Sequence, residues 1–321
     1  MPEKNNKKTI FGWCLYDWAK SAYETTTLGA ILLVYFVSVV VPEEGFNFRG
    51  NLYTGAEVWG FAIGSALFIF FLIMPTIGAI GDLSGNRMRL FKIFAYGGAI
   101  FSSTFYFATS GDVIFTLAIY FMAQFGATGS NVFYDSVLKD ITTEDTIDAV
   151  SARGYALGYL GGGLQLVLSL ALIQLGPDVL GIETEMASRI AISSAGLWWL
   201  IFSFMSFSRM KITENKPEIS SGNVFANAYT KNFKTLKKIR RFPFLMYFLI
   251  AYLFYWDGLQ TVINMSGAND CIQTIWQITQ RFIKSGTFGR LGDFSITCSW
   301  MTVADIIADS PVKQEYVLRD Q

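Results

Sequence analysis

The sequence contains no histidine, and its three cysteines, Cys14, Cys271 and Cys298, show no CxxC spacing. Zinc sites and histidine-based catalytic triads therefore lack their usual residues. Only 16% of the residues are charged and the net charge is zero, which gives no support for a nucleic-acid-binding surface. The sequence thus predicts no metal site, no cofactor and no nucleic-acid partner. It also predicts no enzymatic activity, because its motifs do not supply a nucleophile, a base and an orienting partner together.

Hydrophobic residues, in contrast, make up 52% of the 321 residues. A helix that crosses about 30 Å of hydrocarbon needs roughly 20 mainly apolar residues. Segments of this kind, separated by turn or charge signals such as Pro42 and Gly176-Pro177-Asp178, lie at residues 22–41, 58–80, 90–109, 113–134, 154–176, 190–207 and 243–265. The pattern predicts an all-α fold, a polytopic membrane bundle of six N-terminal transmembrane helices plus a seventh.

Lysine and arginine are distributed unequally between alternate loops. With the N-terminus inside, the inner segments hold eighteen of them and the three outer loops hold two, Arg49 and Arg189. Because inner loops of membrane proteins are enriched in these residues, we expect a cytoplasmic N-terminus. The start of the chain also lacks a short apolar stretch with a cleavage site, so we expect the first apolar segment to serve as an uncleaved insertion signal.

The distribution of apolar segments suggests four regions. Residues 1–207 form the six-helix bundle, residues 208–242 a basic cytoplasmic loop, residues 243–268 the seventh helix, and residues 269–321 a polar tail. The loop is either a solvated linker or a surface segment that lies on anionic lipid. After Ala268 no uncharged apolar run approaches 18 residues. We therefore expect a truncation or frameshift near residue 268, which would make the tail non-native.

A charged stripe precedes the first long apolar run. Asp17, Lys20, Ser21 and Glu24 stand at offsets of 0, 3, 4 and 7, so a helix places all four on one side. Counting about 20 residues back from the end of the apolar segment puts this stripe at the inner mouth of the bundle. It is predicted to be either a gate or a set of snorkelling anchors, with the neighbouring aromatic side chains as interfacial rings: Trp13, Tyr16 and Trp18.

A second motif lies between the second and third apolar segments. Gly78, Asp82, Gly85 and Arg87 form a G-x-x-x-D-x-x-G-x-R arrangement. The glycines permit a tight turn and close helix approach, and the aspartate and arginine can pair with each other or with helix ends. The alternative is a plain cytoplasmic turn with positive-inside arginines.

This spacing resembles the signature of the major facilitator superfamily, found at the same inner loop, although Leu83 stands where that family usually has a basic residue. The stretches YDWAKSAYETT, NVFYDSVLKDI and VSARGYALGYLGGGLQL resemble the branch that contains the autophagy-related vacuolar amino-acid effluxers and their bacterial relatives. The resemblance covers residues 11 to 268. It implies a twelve-helix transporter of two six-helix halves that works by alternating access on a small solute, with amino acids as candidates.

Polar residues inside apolar segments are candidates for a solute or proton pathway, because charges at that depth are costly. Asp257 is the first of these, about 21 Å along a helix from Pro243; pairing with a further helix is its alternative role. The glycines around Gly161 indicate close helix packing rather than a phosphate loop, since no GK[ST] ending follows. The full candidate set is Asp17, Lys20, Tyr23, Glu24, Asn131, Asp135, Gln165, Asp257, Gln260 and Thr261.

The preferred function is therefore secondary active, proton-coupled transport of a small solute through a lipid bilayer. One alternative is a non-transporting remnant or regulatory half-transporter. A seven-helix receptor or light-driven pump fits less well, because the N-terminus is predicted inside and the seventh segment has no lysine for retinal. We expect a bacterial inner membrane, with a vacuolar membrane as the alternative by family analogy.

Overall fold

The computed structural model describes residues 4–210, 212, 224–239 and 241–265. Two compact units divide the chain, Met1–Leu253 and Phe254–Gln321, and in the second only the helical residues up to Met265 are described. The elements are α1 (Lys7–Val40), β1 (Phe46–Phe48), β2 (Asn51–Tyr53), α2 (Gly55–Ser84), α3 (Arg87–Ser103), α4 (Val113–Ile141), α5 (Ile147–Leu180), α6 (Thr184–Arg209), α7 (Val224–Ile239) and α8 (Pro243–Met265). A 3₁₀ turn, Thr104–Phe107, extends α3.

Five of the described helices, α1, α2, α4, α5 and α6, are long and apolar enough to cross a membrane. Helix α3 has 17 residues. Helix α8 has 23 residues and begins with the apolar stretch Pro243–Tyr252. Strands β1 and β2 form a small antiparallel hairpin between α1 and α2, with Phe46 opposite Tyr53. The predicted all-α helix bundle is confirmed, and the hairpin is an addition that the hydropathy pattern did not indicate.

Several helices extend beyond the apolar segments that revealed them, because capping groups set helix ends and hydropathy does not. Helix α1 begins fifteen residues before the predicted residue 22, since the Asn6 side chain accepts hydrogen bonds from the backbone N–H groups of Lys8 and Thr9. Helix α2 starts at a capping box in which Thr54 and Glu57 satisfy each other's backbone N–H groups.

The predicted break at Gly176-Pro177-Asp178 is wrong, because Pro177 lies within α5. A proline removes one backbone hydrogen bond and crowds the preceding turn. Helix α5 nevertheless continues for three residues beyond Pro177, to Leu180. The helix instead ends before Gly181, whose φ of 65° is the left-handed conformation that glycine adopts without strain.

Helix α1 is not uniformly α-helical. It is α-helical over Lys7–Ala22, π-helical over Tyr23–Ile31, α-helical over Leu32–Tyr35 and π-helical again over Phe36–Val40. Wide turns of this kind are uncommon and occur frequently at functional sites. The first of them begins at Tyr23, one residue before Glu24, and so starts within the charged stripe.

Helix α1 packs closely against a glycine face of α5. A Cβ atom added at Gly158 would lie 2.6 Å from Oδ2 of Asp17, and one at Gly161 would lie 2.6 Å from the backbone oxygen of Trp18. Gly154 and Gly162 are equally tight, against Trp13 and Thr25. The packing role predicted for these glycines agrees with this geometry, because only hydrogen fits at each position.

Aromatic side chains fill the start of the bundle. Trp13 stacks on Tyr134 of α4 at a centroid distance of 4.2 Å, and Tyr16 meets Phe91 of α3 edge-on at 4.6 Å. Trp13 is 2% exposed and Tyr16 is fully buried. The expectation that these two are interfacial rings is therefore wrong, because side chains of α3, α4, α5 and α6 surround the first turns of α1. Trp18 packs on Trp198 of α6.

Replacing Gly161 by alanine tests the contact between α1 and α5. The added methyl group would overlap the backbone of Trp18, so we expect unfolding to become easier by about 1–3 kcal/mol, as for overpacked cores. The matched control is Gly163→Ala, because a Cβ atom at Gly163 meets nothing within 4 Å. Both variants gain the same helix propensity, so the difference in thermal midpoint in detergent isolates the clash. Equal midpoints would contradict the packing.

Candidate functional site

A buried lysine lies at the centre of the site. Lys20 on α1 is 5% exposed, and its Nζ atom lies 3.0 Å from Oε1 of Glu24, one turn further along the same helix. The same ammonium group donates a hydrogen bond to the side-chain oxygen of Asn131 on α4. A charge inside an apolar bundle is costly unless it is paired in this way. The lysine therefore joins two helices and defines the site, which we call the Lys20 cluster: Asp17, Lys20, Glu24, Asn131 and Asp135.

The other two carboxylates add negative charge around the same ammonium group. Asp17 is 7% exposed and lies against Gly158 on α5. Asp135 follows Asn131 by one turn of α4 and is exposed. Asp17 precedes Lys20 by three residues on α1, and Asp135 follows Asn131, the partner of Lys20, by four on α4, so both carboxylates stand about one helical turn from these two residues. One ammonium group and three carboxylates give the cluster a surplus of negative charge, which suits it to bind a cationic group or to exchange protons.

Tyr23 lies beside the cluster at the start of the π-helical segment. Its ring is fully buried and stacks on Trp199 of α6 at 5.3 Å, while its hydroxyl donates to Oε1 of Gln124 on α4 at 3.4 Å. Gln124 did not appear among the predicted site residues. It was detectable as the one amide in the otherwise apolar first half of α4.

Two buried hydroxyl groups follow Tyr23 in the π-helical segment. Thr26 and Thr27 are fully buried, and within the described part of the chain their side-chain oxygens have no hydrogen-bond partner. Buried polar groups are normally satisfied, and those that are not call for an explanation. Their position within one turn of Glu24 makes them additional polar groups for this site.

Gln165 belongs to a different contact. It is 4% exposed, and its amide nitrogen donates to the hydroxyl of Ser194 on α6 at 2.7 Å and to that of Ser169 at 3.4 Å. The bond to Ser194 joins α5 to α6, and the bond to Ser169 lies within α5. Its role in a solute pathway remains a prediction from sequence.

The motif between α2 and α3 is organised by an arginine. The Arg87 guanidinium lies 2.9 Å from Oδ2 of Asp140 at the end of α4 and 3.9 Å from Oδ1 of Asp82 at the end of α2. Gly85 follows the last residue of α2 with a φ of 71°, a left-handed conformation that glycine adopts without strain. A Cβ atom at Gly78 would come within 3.1 Å of Val132, so this glycine permits the close approach of α2 to α4. We call Asp82, Arg87 and Asp140 the Arg87 ion network.

Sequence reasoning found two members of this network and missed Asp140. It lay inside the quoted stretch NVFYDSVLKDI, but no spacing rule connects it with an arginine 53 positions earlier. Only the antiparallel packing of α3, which begins at Arg87, against α4, which ends just after Asp140, brings the two charges together. The side chains of Asp257, Gln260 and Thr261, also predicted as site residues, lie outside the described residues, although their backbones belong to α8.

The comparisons with known proteins agree with this architecture. The family model "Vacuole effluxer Atg22 like" matches residues 139–270. Over 256 residues the chain is 30% identical to the Bacillus subtilis (strain 168) protein named "Uncharacterized MFS-type transporter YxiO", a match that includes 79% of this chain and 58% of the relative. The chain is thus similar to Atg22-like vacuole effluxers and to a protein named as a major facilitator transporter.

The resemblance to the major facilitator superfamily, predicted from the motifs, is confirmed by these two matches. The transporter relatives also agree with the expectation that the chain is not an enzyme. Together with the five long apolar helices they support an integral multi-pass membrane protein. The chain spans 58% of the length of YxiO, and no solved structure matches it.

A double-mutant cycle tests the Arg87 ion network. We expect Arg87→Gln and Asp140→Asn to be non-additive in the free energy of unfolding, with a coupling of about 1 kcal/mol for this partly buried charged pair. Glu144→Gln provides the control partner, because Glu144 is exposed near the same end of α4. Chemical denaturation in detergent measures all single and double variants. Additivity of Arg87 and Asp140 within about 0.3 kcal/mol would exclude the bridge.

Proposed function

We propose that the protein is a secondary active transporter that moves a small solute across a membrane by alternating access. The observation that carries this proposal is the Lys20 cluster. Charged side chains inside apolar helices are rare and usually mark a solute or ion pathway. Here the Lys20 ammonium group pairs with Glu24, and Asp17 and Asp135 add two further carboxylates on helices that are long enough to span a membrane.

The chemistry of the cluster favours a zwitterionic solute, with amino acids as the first candidates. A solute carboxylate can replace Glu24 as the partner of Lys20, and a solute ammonium group can pair with the carboxylates then released. This exchange leaves no charge without a partner, which a low-dielectric site requires. The name of the matching family, vacuole effluxer, agrees with transport of a small solute out of a compartment.

The surplus of carboxylates also supports coupling to protons. Three carboxylates share one ammonium group, so a proton can neutralise one of them without disturbing the pair between Lys20 and Glu24. Asp135 is the exposed member of the three and the first that solvent reaches. We propose Asp17 and Asp135 as the proton-carrying candidates in this half of the pathway.

The Arg87 ion network serves as the gate in this proposal. It joins the ends of α2 and α4, two helices whose relative movement would open or close one mouth of the bundle. A partly exposed ion pair is weak enough to break and re-form during such a cycle. The excess of lysine and arginine in this set of loops supports a cytoplasmic location for this end and for the N-terminus. A bacterial inner membrane is the proposed location, with a vacuolar membrane as the alternative.

A proteoliposome assay tests transport and the role of the cluster. The purified 321-residue protein is reconstituted with a pH-sensitive dye inside, and uptake of labelled amino acids is measured with and without a proton gradient. We expect Lys20→Gln to lower the initial rate at least about tenfold, the effect of losing one charged contact. Lys139→Gln is the matched control, because Lys139 is an exposed lysine in the last turn of α4. Uptake that Lys20→Gln leaves unchanged would refute the assigned site.

A non-transporting regulatory form is the alternative to this proposal. It predicts that amino acids raise the thermal midpoint of the protein while the proteoliposomes show no flux. Lys20→Gln should then abolish the stabilisation. Absence of both flux and stabilisation for a full amino-acid panel would refute the proposed substrate class.

A further inference from the structure

Helix α7 (Val224–Ile239) packs on the bundle by one side. Ala228 is fully buried and forms an apolar contact with Ala79 and Leu83 of α2. One turn further along, the amide nitrogen of Asn232 lies 3.4 Å from the hydroxyl of Thr76, to which it donates. These contacts fix α7 against the last turns of α2, the same end that carries Asp82 of the Arg87 ion network.

Another side of α7 is basic and exposed. Lys234, Lys237 and Lys238 stand at offsets of 0, 3 and 4, which places them on one stripe, and all three are exposed. Residues 224–239 contain four lysines and no aspartate or glutamate. The stripe lies well away from Ala228 in the helical rotation, because Lys237 follows it by nine residues and so points in the opposite direction. Tyr229, between the two sides, is 66% exposed.

The length of α2 places this basic stripe near a membrane surface. Thirty helical residues extend about 45 Å, well beyond the roughly 30 Å of hydrocarbon in a bilayer. The turns of α2 that contact α7 are its last ones, so they extend into the head-group layer. An amphipathic helix docked there, with lysines on one side and an exposed tyrosine beside them, has the composition of an interfacial helix.

We infer that α7 binds the phosphate-bearing head groups of anionic phospholipids through Lys234, Lys237 and Lys238. The three ammonium groups form a stripe of one sign, and the lipid phosphates supply the complementary charge at the same depth. The contacts of Ala228 and Asn232 with α2 hold the helix in place. The lysine stripe is therefore already positioned when the lipid binds. Anionic lipids of one leaflet thus bind a helix that contacts α2 beside Asp82 of the Arg87 ion network.

Lipid binding to the purified full chain tests the inference without any transport measurement. The protein in neutral detergent is titrated with phosphatidylglycerol or with phosphatidylcholine, and native mass spectrometry counts the bound lipids. We expect phosphatidylglycerol to bind at least tenfold more tightly. The triple variant Lys234→Gln, Lys237→Gln, Lys238→Gln should lose most of this preference, since each lysine near an anionic surface contributes roughly fivefold.

The matched control is Lys4→Gln, Lys7→Gln, Lys8→Gln, which removes the same charge from three exposed lysines at the N-terminus. It should retain the preference, and both triple variants should keep the thermal midpoint of the parent protein. Equal loss in the two triple variants, or no preference in the parent protein, would overturn the inference. Displacement of the lipid by inorganic phosphate at constant ionic strength would assign the stripe to free anions instead. A protein dimer in place of lipid adducts would assign it to a second copy.

Discussion

The close approach of α1 to the glycine face of α5 is the constraint on which the rest of the structure depends. With only hydrogen at Gly158 and Gly161, the backbone of α1 comes near enough for Asp17 and Trp18 to lie directly on α5. That approach encloses the charged stripe inside the bundle. Because enclosed charges need partners, Lys20 pairs with Glu24 along its own helix and reaches across to Asn131 on α4. The polar site is thus a consequence of how tightly two apolar helices can pack.

Helix α4 connects this site with the loop at its end. Asn131 contacts Lys20, and Asp140, about 13 Å further along the helix, contacts Arg87. A displacement of α4 that follows a change of partner at Lys20 therefore also moves Asp140 relative to Arg87. Helix α7 adds a further contact at the same end, where Asn232 bonds to Thr76 of α2. The proposed solute site, gate and lipid-binding helix are therefore linked through α2 and α4.

Sequence reasoning identified what depends on local pattern. Apolar length revealed the helices, the offsets of Asp17, Lys20 and Glu24 revealed the stripe, and the glycine spacing revealed a packing face. It failed where distant parts of the chain meet. The partners Gln124 and Asp140 become visible only once α4 is placed beside α1 and α3, and Trp13 and Tyr16 are buried only because neighbouring helices surround them. The ends of α1 and α5 were also not predicted from hydropathy, because Asn6 and Gly181 set them through hydrogen bonds and backbone conformation.

The most direct test of the account is the coupling between Lys20 and Asn131. Lys20→Met, Asn131→Ala and the double variant are compared in free energy of unfolding and in amino-acid binding. If Lys20 joins α1 to α4, the two substitutions should be non-additive by about 1 kcal/mol or more, as for a hydrogen bond to a charged group. Each single variant should also weaken binding about as much as the double variant. Additive stabilities, with binding unaffected by Asn131→Ala, would contradict the placement of Lys20 at the centre of the site.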